Sequence, residues 1–220
     1  MTENTKTKLI TETSKIVFEN GLEGLSIRKV ASLVGCTSGA IYVHFKNFNH
    51  LVLLSCLTFL KEYNQGINKM DKNFENSLEE SKYIWKLFCE SAFKYPEIFY
   101  FIFFSCSEIN MSKEEKETDA YAQFKSFYKA FPEGFEDTKY KHHQMLLKLD
   151  LEERNKYLIM KLAHEKLISP SHVKLLNLSQ IFIFKGYLEK AKKLKDQSQI
   201  ERLRKACIKS IDMSFSAYLV

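Results

Sequence analysis

Residues 25–52 read LSIRKVASLVGCTSGAIYVHFKNFNHLV, and the breaks inside this stretch cut it into short helices. Ser26 stands at an N-cap position, where a serine oxygen can accept from a first-turn backbone N–H that has no partner in the helix. Ile27, Val30, Ala31 and Val34 follow at spacings of three and four, the period of one buried helix face. Gly35 ends that helix, because glycine enters the left-handed region without steric cost. Thr37 caps the next helix, which turns Ala40, Ile41 and Phe45 inward, and Asn47 caps a fourth that is rich in leucine. Two short helices across a tight turn, with a small residue (Ala31) where they touch, make a helix-turn-helix. The outward positions of its second helix are Ser38, Gly39, Tyr42, Val43 and His44, small or hydrogen-bonding groups suited to a DNA major groove. Spacing alone equally allows an ordinary corner between two helices.

Working outward, Leu9, Ile10, Ile16, Val17 and Phe18 form the apolar stripe of a first helix over residues 4–20, stopped by Gly21. Further helices are predicted over 77–94, 97–106 and from the charged segment 112–119 to residue 130. One or two more fall within 140–168, one starts at the cap-and-proline pair Ser169-Pro170, and a last one covers 198–219. Seven glycines and three prolines in 220 residues supply too few breakers for an all-β chain, so the fold class is all-α. The layout is a headpiece over residues 1–47 and a larger helical body over 48–220.

The net charge of +6 is unevenly spread: +2 over residues 1–50, −1 over 51–180 and +5 over 181–220. A basic balance suits a polyanion, but most of the excess lies outside the headpiece. Five widely spaced cysteines without a C-x-x-C pair, and no apolar leader, point to reduced thiols. The most apolar stretches, 98–106 and 175–184, fall short of the ~20 residues of a membrane span. The expectation is a cytoplasmic protein with no membrane partner. H-E-x-x-H, zinc spacings, G-x-S-x-G, phosphate loops and dinucleotide fingerprints are all missing, and the neighbours His142 and His143 point to different helix faces. No enzyme, catalytic residue, metal or cofactor is expected.

The run 25–52, with Phe18 and Gly21 before it, resembles the N-terminal signature of the TetR family of bacterial transcription regulators. The string from Gly35 to Phe45 fits G-x-[ST]-x-G-x-[LI]-Y-x-x-F without a gap. The resemblance implies a DNA-binding headpiece in which Ser26 and Thr37 lie at phosphate-binding helix starts and Tyr42 donates to a phosphate. It places His44 and Lys46 against the DNA backbone, and Arg28 and Ser38 at base edges, with Gly39 allowing close approach. One departure stands out: where the family usually has a phosphate-contacting lysine after the fourth cap, this chain has Phe48.

In the body the resemblance is one of layout. It implies that the last two helices pair with those of a second copy. Residues 175–188, apolar on almost every side, need two buried faces, and Phe182, Gly186, Tyr187, Ile211 and Phe215 are the expected dimer contacts. Residues 83–135 hold 16 of the chain's 30 aromatics, where the family encloses its effector. Trp85, Phe88, Phe103, Phe124, Phe127 and Tyr128 are the expected lining for a largely apolar ligand, with Glu90 and Glu108 at its edge. The expected protein is a homodimeric repressor on a palindromic double-stranded operator, released by a small molecule that changes the separation of its two recognition helices. The alternative is a DNA-binding protein without an effector, its aromatic region simply solid core.

Overall fold

The computed structural model describes residues 5–68, 70, 73–105, 142–146 and 148–220. The helix expected to end at residue 130 lies outside the described residues, and with it Cys106, Glu108, Phe124, Phe127 and Tyr128.

Helix α1 (Thr5–Asn20) buries Leu9, Ile10, Thr13, Ile16 and Val17 and ends at Gly21, whose φ of 68° is a left-handed value. A 3₁₀ turn (Leu22–Gly24) leads to α2 (Ile27–Val34), whose cap Ser26 accepts from the Lys29 N–H at 3.2 Å. Gly35 closes α2 with φ 76°, and nothing lies within 4 Å of where its Cβ would be. The demand for glycine there is a backbone demand alone. Helix α3 (Ser38–His44) plugs Ile41 into the bundle, followed by Phe45 just past its end. Thr37 occupies the cap position in extended conformation, but its side chain makes no cap hydrogen bond, contrary to the sequence expectation. Asn47 does cap α4 (Phe48–Cys56), accepting from the His50 N–H at 2.8 Å. That helix runs on through a 3₁₀ turn (Leu57–Leu60) into α5 (Lys61–Asn68).

Next comes α6 (Ser77–Ala92), whose cap Asn76 accepts from two backbone N–H groups of its first turn. After Tyr95-Pro96 comes α7 (Pro96–Tyr100), which widens into a π turn (Phe101–Ser105). Beyond the short α8 (His143–Leu146), α9 (Leu151–His164) starts at the cap Asp150. Ser169 caps a 3₁₀ turn (Pro170–His172) that feeds α10 (Val173–Ala191), and α11 (Gln197–Ser216) packs antiparallel to α10. A bridge between Ile168 and Leu219 fastens the chain's end to the loop before α10. None of the described helices is long and apolar enough to cross a membrane.

Helix α1 and the 3₁₀ turn after α4 meet the start of α7 through aromatic contacts. The Tyr95 ring lies 5.0 Å from Phe59 and 6.2 Å from Phe18, and Ser14 and Thr58 hydroxyls are 2.8 Å apart. Above this junction Tyr63 on α5 is buried edge-on to Phe88, at 5.1 Å. Burial pushes its phenol up to about 12. The folded chain therefore keeps a proton that the unfolded chain, at about 10, has begun to release. This contribution is complete below pH ~10 and is lost as pH rises towards 12. We expect the melting temperature to fall steeply over that interval, with Tyr63→Phe flattening the decline by about 2–3 kcal/mol at its upper end. Equal alkaline slopes for the two proteins would contradict the burial argument.

Candidate nucleic-acid interface

Helix α3 is short, and its two sides differ sharply. Ile41 is fully buried while its neighbour Tyr42 is 57% exposed, and Val43 is also exposed. Ser38 and Tyr42 are four residues apart, as are Gly39 and Val43, so the four share one solvent-facing side. Arg28, Thr37, Gly39 and Lys46 are exposed, Ser26 is exposed at the start of α2, and Ser38 and His44 are half-buried. The residues picked from the sequence for DNA contact thus lie on the outer surface of α2, α3 and the turns beside them.

A Cβ at Gly39 would meet only Thr37 Oγ1, at an ordinary 3.7 Å, so nothing inside the chain requires glycine there. The Thr37 hydroxyl, not used in capping, sits at the start of α3 beside backbone N–H groups that have no intrahelical partner. Serine and threonine hydroxyls, backbone amides, a phenol and basic side chains on one surface are donors for phosphate oxygens. Phe48, in place of the family's lysine, is half-buried and packs its ring against the core. Within the headpiece the Lys8 ammonium donates to the Val34 carbonyl at 3.1 Å, covering the C-terminal end of α2.

Trp85, Phe88 and Phe103 pack ring against ring, joined by Phe99 and Phe184. Phe88 is central, with ring centroids of Phe184 at 5.0 Å, Phe103 at 5.3 Å, Trp85 at 5.8 Å and Phe99 at 5.8 Å. Glu90 does not border this cluster. It is paired at the surface with Arg204 on α11, at 3.5 Å, because its position on α6 turns it away from Phe88.

The sequence reading missed the polar groups buried beside the rings. The Trp85 indole N–H donates to Asn155 Oδ1 at 2.9 Å and to Gln180 Oε1 at 3.2 Å, while Asn155 Nδ2 donates to the same Gln180 oxygen at 2.9 Å. Gln180 Nε2 in turn donates to Ser214 Oγ at 3.1 Å. A second group joins Glu80 to His142 and to Lys161, each at 3.2 Å. Arg154 stacks 5.2 Å from the Phe103 ring and donates to the carbonyls of Leu146 and Lys148. These polar residues are scattered among the apolar positions of their helices, three of them on α9, and carry no periodic signature, so nothing in the sequence marks them.

The expected dimer contacts divide. Phe182 is 66% exposed, Gly186 is exposed, and a Cβ on Gly186 would meet nothing. Ile211 and Phe215 are fully buried within the chain, on the side of α11 that faces α6 and α10, so they are not outer-surface contacts. Tyr187 is half-buried, its hydroxyl 3.1 Å from Ser210 of α11. Within the single chain, 175–188 buries one of its two apolar faces. Leu176, Gln180, Ile181, Phe184 and Leu188 point inward, and Leu175 and Phe182 point out.

No protein-family model matches the chain, and no curated protein matches its sequence. Solved structures do match, over nearly its whole length. A chain from Shewanella sp. PV-4, assigned to the TetR-family transcription regulators, superposes with a TM-score of 0.56 at 13% identity, covering 99% of this chain and 100% of that one. A TetR transcription regulator from Haloarcula marismortui gives 0.52 at 13% identity over 98% of each chain. RolR, solved in complex with resorcinol, gives 0.50 at 11% identity over 96% of this chain and 91% of its own. This protein has the all-α fold of the TetR-family regulators.

Proposed function

We propose that this protein is a DNA-binding transcription regulator that acts as a homodimer on a palindromic operator. The observation that carries the reading is the two-sided α3, with Ile41 buried and Ser38, Gly39, Tyr42 and Val43 presented together to solvent. In a twofold dimer two such helices enter successive major grooves about 34–36 Å apart. Leu175, Phe182 and Gly186 form the outward side of α10 that a second copy covers. The regulator is a repressor, and a small, largely apolar ligand seated at Trp85, Phe88 and Phe103 releases it by favouring the dimer geometry that does not fit DNA. That RolR was solved with an aromatic diol supports a ligand of this kind. The ring-on-ring packing around Phe88 favours a second reading, a regulator whose aromatic interior is solid and which answers to another protein.

The test begins with selection of a duplex in vitro by the full-length protein. Tyr42→Phe removes one hydroxyl from an exposed side chain and is expected to weaken binding roughly tenfold or more across sequences, as loss of a hydrogen bond to a charged phosphate does. Ser38→Ala and Arg28→Ala should change the preferred sequence instead. Unchanged gel-shift affinity for both Tyr42→Phe and Thr37→Ala would refute the docking geometry. Thermal-shift screening with small aromatic compounds separates the two readings: an effector raises the melting temperature and lowers operator affinity.

A further inference from the structure

The outer face of the α10–α11 pair is sharply divided along its length. One half is apolar, with Leu175 54%, Phe182 66% and Met213 63% exposed. The other half is cationic. Lys190, Lys193 and Lys195 stand exposed at the end of α10 and in the turn after it, and Arg202, Lys205 and Lys209 stand exposed on α11 at spacings of three and four. Met213 continues that same α11 side four residues on, so the two halves are one surface. Lys193 lies 3.9 Å from Glu189, and Lys205 lies 3.5 Å from Glu201, which Arg204 also engages. Lys190, Lys195, Arg202 and Lys209 form no ion pair among the described residues.

The cationic half is the one nearer the headpiece. Lys192 lies 3.5 Å from the Tyr100 ring of α7, and Arg204 pairs with Glu90 in the last turns of α6. Those elements flank Tyr95, whose ring touches Phe18 of α1 and Phe59. The start of α7 also reaches the headpiece, since a Cβ on Gly21 would lie 3.2 Å from Glu97 Oε2.

We propose that this cationic half binds the phosphates of the operator segment lying between the two half-sites. The proposal rests on the dimer and DNA-binding reading above. In a twofold contact the same patch meets itself, so the apolar halves can close on each other while the cationic halves cannot. Two basic surfaces are then left side by side on the twofold axis, at the headpiece end. A palindromic duplex held by both headpieces carries its central phosphates across that same axis, and they supply the opposite charge.

The experiment compares wild type with a variant combining Lys190→Gln, Lys195→Gln, Arg202→Gln and Lys209→Gln. All four residues are exposed, and circular dichroism and light scattering should show an unchanged fold and dimer. On the selected duplex, losing two or more phosphate contacts lowers the slope of log affinity against log salt by about 1.8 or more. From about 50 to about 200 mM salt, wild type should therefore lose about tenfold more affinity than the variant. A duplex with neutral methylphosphonates only in the central spacer should bring wild type down to the variant's affinity and leave the variant unchanged. Equal salt slopes, or equal losses on the neutralised spacer, overturn the proposal. So does an unchanged DNA slope with binding to phosphatidylglycerol vesicles that the four substitutions abolish. If no duplex is selected at all, the DNA reading itself has failed and this proposal falls with it.

Discussion

Phe184→Ala should cost about 3–5 kcal/mol, enough to leave much of the protein unfolded at growth temperature. Phe184 is fully buried on the inner side of α10 and is ringed by Phe88 at 5.0 Å, Trp85 at 5.6 Å, Phe104 at 6.1 Å and Phe93 at 6.4 Å. Deleting its ring removes the contacts of all four at once. These neighbours come from α6, the residue after it and the π turn, elements that cannot all collapse into one void. For a chain of this length the melting temperature should drop by roughly 10 °C. Phe182→Ala, two residues away but outward-facing, should change the unfolding free energy of the single chain by well under 1 kcal/mol. Calorimetry on both variants decides the matter, and a Phe184→Ala loss below about 1 kcal/mol would mean the cluster is not the core it resembles.

Phe182→Glu is expected to do the reverse, sparing the protomer and disabling the assembly. The side chain is exposed in the single chain, so a carboxylate there stays hydrated and the helical circular dichroism should be unchanged. In the proposed dimer each copy would bury that charge without a partner, at several kcal/mol per copy, and twofold symmetry applies the cost twice. Light scattering at micromolar concentration should then report a monomer. Specific operator affinity should fall more than a hundredfold, because each headpiece must find its half-site without the other. A Phe182→Glu protein that remains dimeric would move the interface off this surface.

What the sequence by itself determined is local. Ser26 and Asn47 cap their helices as read, Gly35 takes the left-handed turn, and Val30, Ala31, Val34 and Ile41 point inward, because caps, turns and short-range periodicity are set within a few residues. Phe88 and Trp85 were also legible, as large aromatics on one helical stripe. Thr37 was not, since a hydroxyl at a cap position can either bond the helix or leave it to another partner. Tertiary packing alone decided which neighbour each face meets. The sequence marks Phe182, Ile211 and Phe215 alike as apolar contacts of the last two helices, but not that Ile211 and Phe215 are spent inside the chain while Phe182 stays outside. Nor could it show Glu90 turning out to Arg204, or Trp85, Asn155 and Gln180 closing one hydrogen-bonded group from three helices. Those pairings join residues far apart in the chain, and a buried polar side chain is stable only where distant elements bring it a partner. Only the assembled tertiary structure supplies that partner.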